Sequence, residues 1–396
     1  MITVVQPMSY ESMKSVLLYL EENKRIQLSL KSSYIHTADK TLPLHIDYLR
    51  LNVSSVKIND TVYKLGVVRE YRTEELPEDF EDLVYMHVNK RYNDKGGSPF
   101  DLNIFGGPDW STEDVVMPGD LRIEAIDQDG FQKRRTLERR NQVKSEKTLK
   151  RSEVVIGVRE EVETPMKKRR KMVISHFPEE VLRNMYSSTI RLTIGNEAKE
   201  AVTYSKTLVS ARKYLLSKLF GGRDIIRADI LQITKDGGIQ RLPKDLKFRT
   251  KIISVGHNAK AVLNTIAPIL DSNFPPTEIQ IYGARISHDV VDYIHPLIEN
   301  ASKVLLHDYA DNVDWLRTLL KLKNTEVELK FGDFSAERFG VLVGEWILYK
   351  KKVGSWFKYL SKGYKDFHEK IQVLMNMRNA VVGKNNNISQ HGSLAD

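Results

Sequence analysis

The chain contains no cysteine, which excludes a disulfide scaffold, a thiolate metal site and a cysteine nucleophile. Long apolar runs are missing too, since none approaches the roughly 20 residues that a membrane-spanning helix needs. Residues 1–8 show no cationic region ahead of an apolar stretch, so we expect no secretory signal. These absences favour a cytoplasmic or nuclear protein that does not cross a membrane.

Familiar catalytic motifs are absent as well. The chain has no G-x-S-x-G turn, P-loop, dinucleotide fingerprint or H-E-x-x-H pair. The ten histidines are scattered, and His288 and His295, on one predicted helix, are too far apart for two metal ligands from one turn. We therefore expect a non-enzymatic protein with no catalytic residues, no metal and no cofactor. Carboxylates that only folding brings together would escape this search.

The net charge of +9 comes from one segment. Residues 132–171 hold fifteen Lys or Arg and six Glu, so the rest of the chain is neutral. Few apolar residues are available to offset the entropy of ordering, which predicts a flexible basic linker over residues 129–177. The basic segment, residues 132–171, lacks interleaved aromatic side chains for base stacking, so nucleic acid is an alternative partner and not the preferred one.

One basic run in this linker has the form of a nuclear localisation signal. The alternative is that it is simply a solvated part of the linker. The run consists of Lys167, Lys168, Arg169, Arg170 and Lys171.

The region before the linker, residues 1–128, predicts an α+β domain. Ser9 can cap a helix whose apolar residues recur with the spacing of one buried face. Those residues are Met13, Val16, Leu17 and Leu20. Alternating apolar residues over 44–51 predict a strand, and two β-rich runs around residues 59–61 predict a hairpin.

The region after the linker, residues 178–382, contains a repeat. Short β-rich runs begin at residues 230, 252, 279, 304 and 327, and from the second run onward an amphipathic helix fills each gap. Because such units bury their apolar faces only by stacking, this pattern predicts an irregular leucine-rich-repeat-like β-α solenoid, although the strict leucine signature is missing. Residues 383–396 predict a disordered tail.

Parallel strands in such a fold would present one face to a protein ligand. The alternative is an ordinary α/β domain whose face is merely solvated. The candidate target-binding residues alternate with buried positions and are Gln280, Tyr282, His307, Glu328 and Lys330.

Residues 7–20 resemble an F-box, in which a proline and a short helix precede an Ile-Leu-x-x-Leu core. Val16-Leu17-Leu18-Tyr19-Leu20 matches this core, whereas Pro7 lies further upstream than the proline of the family. The resemblance implies that Pro7, Val16, Leu17 and Leu20 bind a Skp-type adaptor. The same residues could instead form the core of the first domain.

A wider resemblance covers most of the chain outside the linker. Residues 10–119 resemble an uncharacterised domain of an expanded nematode family, and the second region is similar to F-box-associated regions of that lineage. The resemblance is based on short sequence motifs, which include Tyr63-Lys64-Leu65-Gly66, Tyr92-Asn93-Asp94-Lys95-Gly96-Gly97, Pro118-Gly119-Asp120, Gly221-Gly222-Arg223, Leu242-Pro243-Lys244 and Ile294-His295-Pro296.

This resemblance implies an adaptor that recruits an unknown protein target to a cullin–RING ubiquitin ligase and brings no catalytic residues. Two alternatives remain: a nuclear, nucleic-acid-associated protein that uses the basic linker, and an interaction protein with no ligase role.

Overall fold

The computed structural model of the protein describes only part of the chain. The described residues are 8–72, 84–104, 106–109, 111, 115–123, 184–234, 238–256, 258–282, 295–307, 315–330, 335–348, 354–360, 368–370 and 372. The predicted linker lies outside them, and so do the nuclear-signal candidate, the tail, Pro7 and the boundaries of the two predicted domains.

The described residues form a mixed α/β structure. Its helices are α1 (Tyr10–Tyr19), α2 (Glu22–Lys31), α3 (Ser33–Lys40), α4 (Val84–Asp94), α5 (Leu208–Phe220), α6 (Ala259–Ile266), α7 (Pro296–Asn300), α8 (Trp315–Lys321) and α9 (Ala336–Leu348). Its strands are β1 (Leu44–Leu51), β2 (Ser55–Ile58), β3 (Thr61–Tyr71), β4 (Asp101–Leu102), β5 (Pro108–Asp109), β6 (Leu121–Ile123), β7 (Tyr186–Ile194), β8 (Glu197–Thr203), β9 (Ile226–Ile233), β10 (Gly238–Gln240), β11 (Phe248–Val255), β12 (Glu278–Tyr282), β13 (Lys303–His307), β14 (Glu326–Lys330) and β15 (Trp356–Leu360).

Eleven strands form one sheet in the order β15-β14-β13-β12-β11-β9-β1-β2-β3-β7-β8. Pairing is parallel from β15 to β1 and antiparallel from β1 to β8. β1 lies beside β9, with Leu44 opposite Ile226 and Leu51 opposite Ile233. Strands from both sides of the basic linker therefore share a single sheet.

The β-rich runs of the predicted repeat form β9, β11, β12, β13 and β14, and each pairs in parallel with its neighbours. Ile253, Ile279, Val304 and Val327 stand in one row on the inner side of the sheet and belong to the main core. Hydrophobic residues of the helices pack against this core. The large, mostly parallel sheet agrees with the predicted α/β class, whereas the solenoid stays a prediction.

The alternation of buried and exposed residues changes phase at the same level in β1, β9 and β11. In β1 the buried side chains are Leu44 and Ile46 and then Leu49 and Leu51. β9 and β11 show the same shift between Asp229 and Ile230 and between Lys251 and Ile252. At this level two consecutive residues of each strand are turned away from the core, while the pairing of the three strands keeps its register. Polar side chains of three neighbouring strands therefore meet on the outer side of the sheet.

Residues that typically begin or end helices are found at the helix ends. Ser9 caps α1 by accepting a hydrogen bond from the Ser12 amide. Pro296 does not interrupt a helix, because it occupies the first turn of α7, where no backbone donor is needed. Pro268 lies in the 3₁₀ turn that follows α6. None of the described helices is long and apolar enough to cross a membrane.

Candidate functional site

The outer side of the parallel strands carries all five predicted target-binding residues. Gln280 and Glu328 flank Leu305 in one row across the strands, and Tyr282, His307 and Lys330 form the next row. We call this surface, formed by the outward side chains of β12 to β15, the outer face.

Tyr282 and His307 form a flat aromatic pair on the outer face. Their ring centroids lie 4.4 Å apart with an angle of 13° between the rings. The Tyr282 hydroxyl donates to Gln280 Oε1 at 2.9 Å. Burial lowers the pKa of His307, and the charge of Lys330 lowers it further, which favours the neutral imidazole. The pair therefore offers an uncharged stacking surface to a ligand.

Glu328 lies beneath three lysines and is itself hidden from solvent. Its side chain is 5% exposed and approaches Lys303, Lys330 and Lys358 at 3.7, 3.4 and 3.3 Å. Burial alone would raise the pKa of Glu328, but the bond from Lys358 and the three charges hold it below the usual value. Glu328 therefore serves as an internal counter-ion. Among its three lysines Lys358 is the most exposed, at 65%, and Lys303 and Lys330 are partly exposed.

A ladder of hydroxyl groups runs across the starts of the strands. Thr277 donates to the Lys251 carbonyl at 3.2 Å, Ser302 to the Thr277 carbonyl at 2.8 Å, and Thr325 to the Ser302 carbonyl at 3.0 Å. Each hydroxyl thus binds the strand before it. The ladder was not predicted from the sequence, although a hydroxyl residue recurs just before each of β12, β13, β14 and β15.

A groove of about 630 Å³ extends the outer face toward the N-terminal helices. Its apolar walls come from the end of α1 with the turn before β1, and from the turn before β12. These wall residues are Leu18, Leu20, Pro43, Phe274 and Pro275. Its floor consists of strand residues with charged or titratable side chains, namely His45, Arg227, Asp229, Arg249 and Lys251.

Most charges of the groove are paired. Asp229 Oδ1 lies 3.1 Å from His45 Nε2 and 3.0 Å from Lys251 Nζ. Burial would raise the pKa of Asp229, but the bonds from His45 and Lys251 lower it. Arg249 binds Asp271 Oδ2 at 2.8 Å, and its guanidinium lies 3.5 Å from the centre of the Phe274 ring.

His45, Asp47 and Asp229 bring ligating atoms within 4.8 Å of one another. Asp229 already forms ion pairs with both His45 and Lys251 through Oδ1. Ion pairing therefore explains this cluster better than metal binding, and we assign no metal to it.

A buried charge cluster joins the N-terminal helices to the sheet. The Asp39 carboxylate, 1% exposed, accepts hydrogen bonds from Arg25 of α2 and from Arg223, just before β9. Arg223 Nη1 also donates to the carbonyl oxygens of Asp39 and Leu42, at 2.6 and 2.7 Å. This arrangement gives the Gly221-Gly222-Arg223 motif a structural role, because Arg223 holds the end of α3 and the turn before β1, which forms part of the groove wall.

Lys40 of α3 connects the N-terminal helices to α5 as well. Its ammonium donates to the carbonyl oxygens of Lys218 and Leu219, at 2.7 and 2.9 Å, at the end of α5. Burial, with a contribution from Arg223, lowers the pKa of Lys40 to about 7.

The predicted adaptor-binding residues divide between core and surface. Leu17 is 2% exposed and packs with Met13 and Ala38, and Leu20 is half-buried at the groove. Val16 is 45% exposed. Its exposed apolar neighbours are Leu18 and Tyr19, 52% and 92% exposed, which the sequence analysis did not select.

Comparison with known families gives one match. The model of a domain of unknown function (DUF3557) matches residues 207–363, from the N-cap of α5 to a point just beyond β15. A domain of unknown function was predicted, but for residues 10–119, whereas the match lies in the second region; the F-box and leucine-rich-repeat features stay predictions. The matched segment includes the outer face and part of the groove floor. No curated protein and no solved structure matches the chain.

Proposed function

We propose that the protein is a non-enzymatic adaptor that binds a protein target on the outer face. The main support is that the helices pack on the inner side of β12 to β15, while the β15 side chains opposite them are accessible. Trp356 is 73% exposed and the Lys358 side chain 65% exposed. Surfaces that combine aromatic rings with charged groups at the rim are typical of protein interfaces.

The hydroxyl ladder supports the proposed leucine-rich-repeat-like organisation. Thr277, Ser302 and Thr325 follow one another at intervals of 25 and 23 residues, close to the spacing of the strands. A side-chain bond repeated once per unit is what stacked β-α units would produce. In this proposal each repeat contributes one strand to the outer face.

In its more specific form, the proposal makes the protein the substrate receptor of a cullin–RING ubiquitin ligase, with a Skp-type adaptor docked on α1. Val16 and Tyr19 support this form, because two exposed apolar side chains three residues apart lie on the same side of the helix and make an apolar patch suited to a partner. Leu17 would act through the core and would not touch the adaptor.

The test is co-purification of the full chain with a Skp-type adaptor. We expect capture by the wild-type chain and loss of about tenfold or more in affinity with Val16→Asp or Tyr19→Asp, since burying a charge in an apolar interface is costly. Tyr214→Asp is the matched control, because Tyr214 is 65% exposed on α5. No capture, or equal loss with the control, would reject the ligase form and leave an interaction protein without a ligase role.

Nucleic-acid binding through the basic linker is the second candidate, favoured by the concentration of charge in residues 132–171. It predicts steep weakening of binding as salt increases and loss of binding when Lys167–Lys171 are neutralised. Binding of a labelled oligonucleotide at two salt concentrations separates this candidate from the adaptor, whose apolar docking would survive salt.

A further inference from the structure

The groove beside the outer face contains one arginine, Arg227, for which the described part of the chain supplies no counter-ion. Arg249 and Lys251 are paired with Asp271 and Asp229. Arg227 is exposed and has no ion pair or hydrogen bond from its side chain within the described part of the chain. Arg227 also borders an adjoining cavity of about 240 Å³ next to Lys40, so it stands where two cavities meet.

The rest of the groove suits apolar side chains. Leu18 and Phe274 are 52% and 49% exposed although they line a concave surface. Ligand sites commonly combine apolar walls with a few polar groups that fix orientation. Within the described part of the chain, the guanidinium of Arg227 is the groove cation for which no ion pair is found, and it lies on the floor between the two apolar walls.

We infer that the groove receives a short segment of the target protein in which an acidic side chain stands between apolar side chains. The carboxylate binds Arg227, and the flanking apolar side chains contact Leu18 and Phe274. This inference rests on the proposed adaptor function and names the chemistry of one segment of the target, which the groove would hold beside the outer face.

The charges of the groove favour a carboxylate peptide over a nucleic acid. A nucleic acid presents a phosphate at every nucleotide and needs a track of cations, whereas neighbouring cations of this groove are already neutralised by Asp39, Asp229 and Asp271. A single carboxylate needs one guanidinium, which can donate two parallel hydrogen bonds to it.

The test measures binding of the full chain to immobilised peptide pools. One pool has Glu at the centre and Leu, Ile, Val or Phe at the two positions on each side. A second pool has Gln at the centre, and a third keeps Glu but has Ser, Thr or Asn on each side. We expect the first pool to bind about tenfold or more tightly than either of the others, because each lacks one of the two contacts.

Arg227→Glu should weaken binding of the first pool by about tenfold or more. Phe274→Ser should weaken it as well, and Arg338→Glu, which reverses an exposed arginine on α9, should leave it unchanged. Because Arg227 is exposed and unpaired, its substitution is not expected to disturb folding, which thermal unfolding checks.

Equal binding of the Glu and Gln pools, or no effect of Arg227→Glu, would overturn the inference. Oligonucleotide binding that depends on Arg227, without peptide binding, would replace the target peptide with a nucleic acid and would also overturn it. Capture of the Skp-type adaptor depends on Val16 and Tyr19, which do not line the groove. Failure of the groove would therefore leave the adaptor proposal standing if that capture persists.

Discussion

At the scale of single residues, two buried aspartates hold distant parts of the chain together. Asp39 binds Arg25 and Arg223, and Asp120, with a fully buried side chain, binds Lys213 and Arg241 at 2.7 and 2.8 Å. The sequence shows these residues as ordinary charges, because their partners are as many as 184 positions away. Their pairing follows from the fold and could not be predicted locally.

Asp39→Ala is expected to be strongly destabilising. It would leave the guanidinium groups of Arg25 and Arg223 buried without their counter-ion, and loss of one partner of a buried ion pair costs about 3–5 kcal/mol. Urea unfolding measures the change in free energy. Asp94→Ala, at an exposed position, is the control and should change the free energy by less than about 0.5 kcal/mol. A similar small effect of Asp39→Ala would show that the cluster is not part of the stable structure.

Asp120 should make stability depend on pH in the acid range. Burial would raise the pKa of Asp120, but hydrogen bonds from Lys213 and Arg241 lower it below the ordinary value of about 3.9. The folded state then binds fewer protons than the unfolded state between the two pKa values. The stabilisation is therefore complete above the unfolded pKa and is lost as pH falls through the folded pKa.

We expect Asp120→Asn to lower the free energy of unfolding at pH 7 by about 1.5–3 kcal/mol, the usual contribution of charge-assisted hydrogen bonds. The difference from the wild type should shrink below about pH 4. Urea unfolding at a series of pH values measures it. A constant difference from pH 7 to pH 3 would mean that Asp120 contributes through shape and not through charge.

At the scale of elements, local patterns predicted the strands well and their partners poorly. The alternation over residues 44–51 and the β-rich runs of the repeat all correspond to strands. The parallel pairing of β1 with β9 went unseen, because it joins segments on either side of the linker. The hairpin of β7 and β8 was also missed, since β8 is exposed along its whole length and shows no alternation.

The candidate site was likewise predicted only where it depends on a local pattern within one strand. Alternation placed Gln280, Tyr282 and His307 on one face of the sheet, because strand periodicity fixes that geometry. It could not reveal that Glu328 is covered by lysines from three strands. The groove was missed entirely, because its walls come from two regions that the sequence suggested were separate.

Gly66 of β3 lies so close to the backbone of Gly96 and Gly97 that a side chain at this position would not fit. A Cβ atom there would lie 2.4 Å from the Gly96 carbonyl oxygen and 2.8 Å from Gly97. Gly66→Ala is therefore expected to destabilise the fold by about 1–3 kcal/mol, as overpacking does. Gly195→Asn is the control, since that position is open and Asn tolerates a left-handed backbone. Thermal unfolding compares them, and equal midpoints would contradict the tight contact.

At the scale of the whole molecule, the regions on either side of the linker form one structure. They share a sheet and the main hydrophobic core, in which Leu44 and Ile46 lie with Ile226 and Phe248. β6 and β10 add a second connection, because they pair across the linker.

This continuity predicts that the chain unfolds as a unit. Residues 178–396 expressed alone should lack a cooperative transition, because removal of β1 uncovers one edge of β9 and part of the core. Urea unfolding followed by circular dichroism measures it. A fragment with a transition as sharp as that of the full chain would contradict this prediction. It would show that the second region is a separate domain that folds independently.

The central claim is that the outer face binds a protein target, and site-specific photo-crosslinking tests it most directly. A photo-reactive aromatic side chain replaces Trp356 on the outer face, or Tyr214 on α5 as the control; both are exposed. Cells that express each full-length variant are irradiated, and the adducts are separated by mass. We predict a discrete adduct from position 356 that position 214 does not give. The same adducts from both positions, or none from position 356, would contradict the claim.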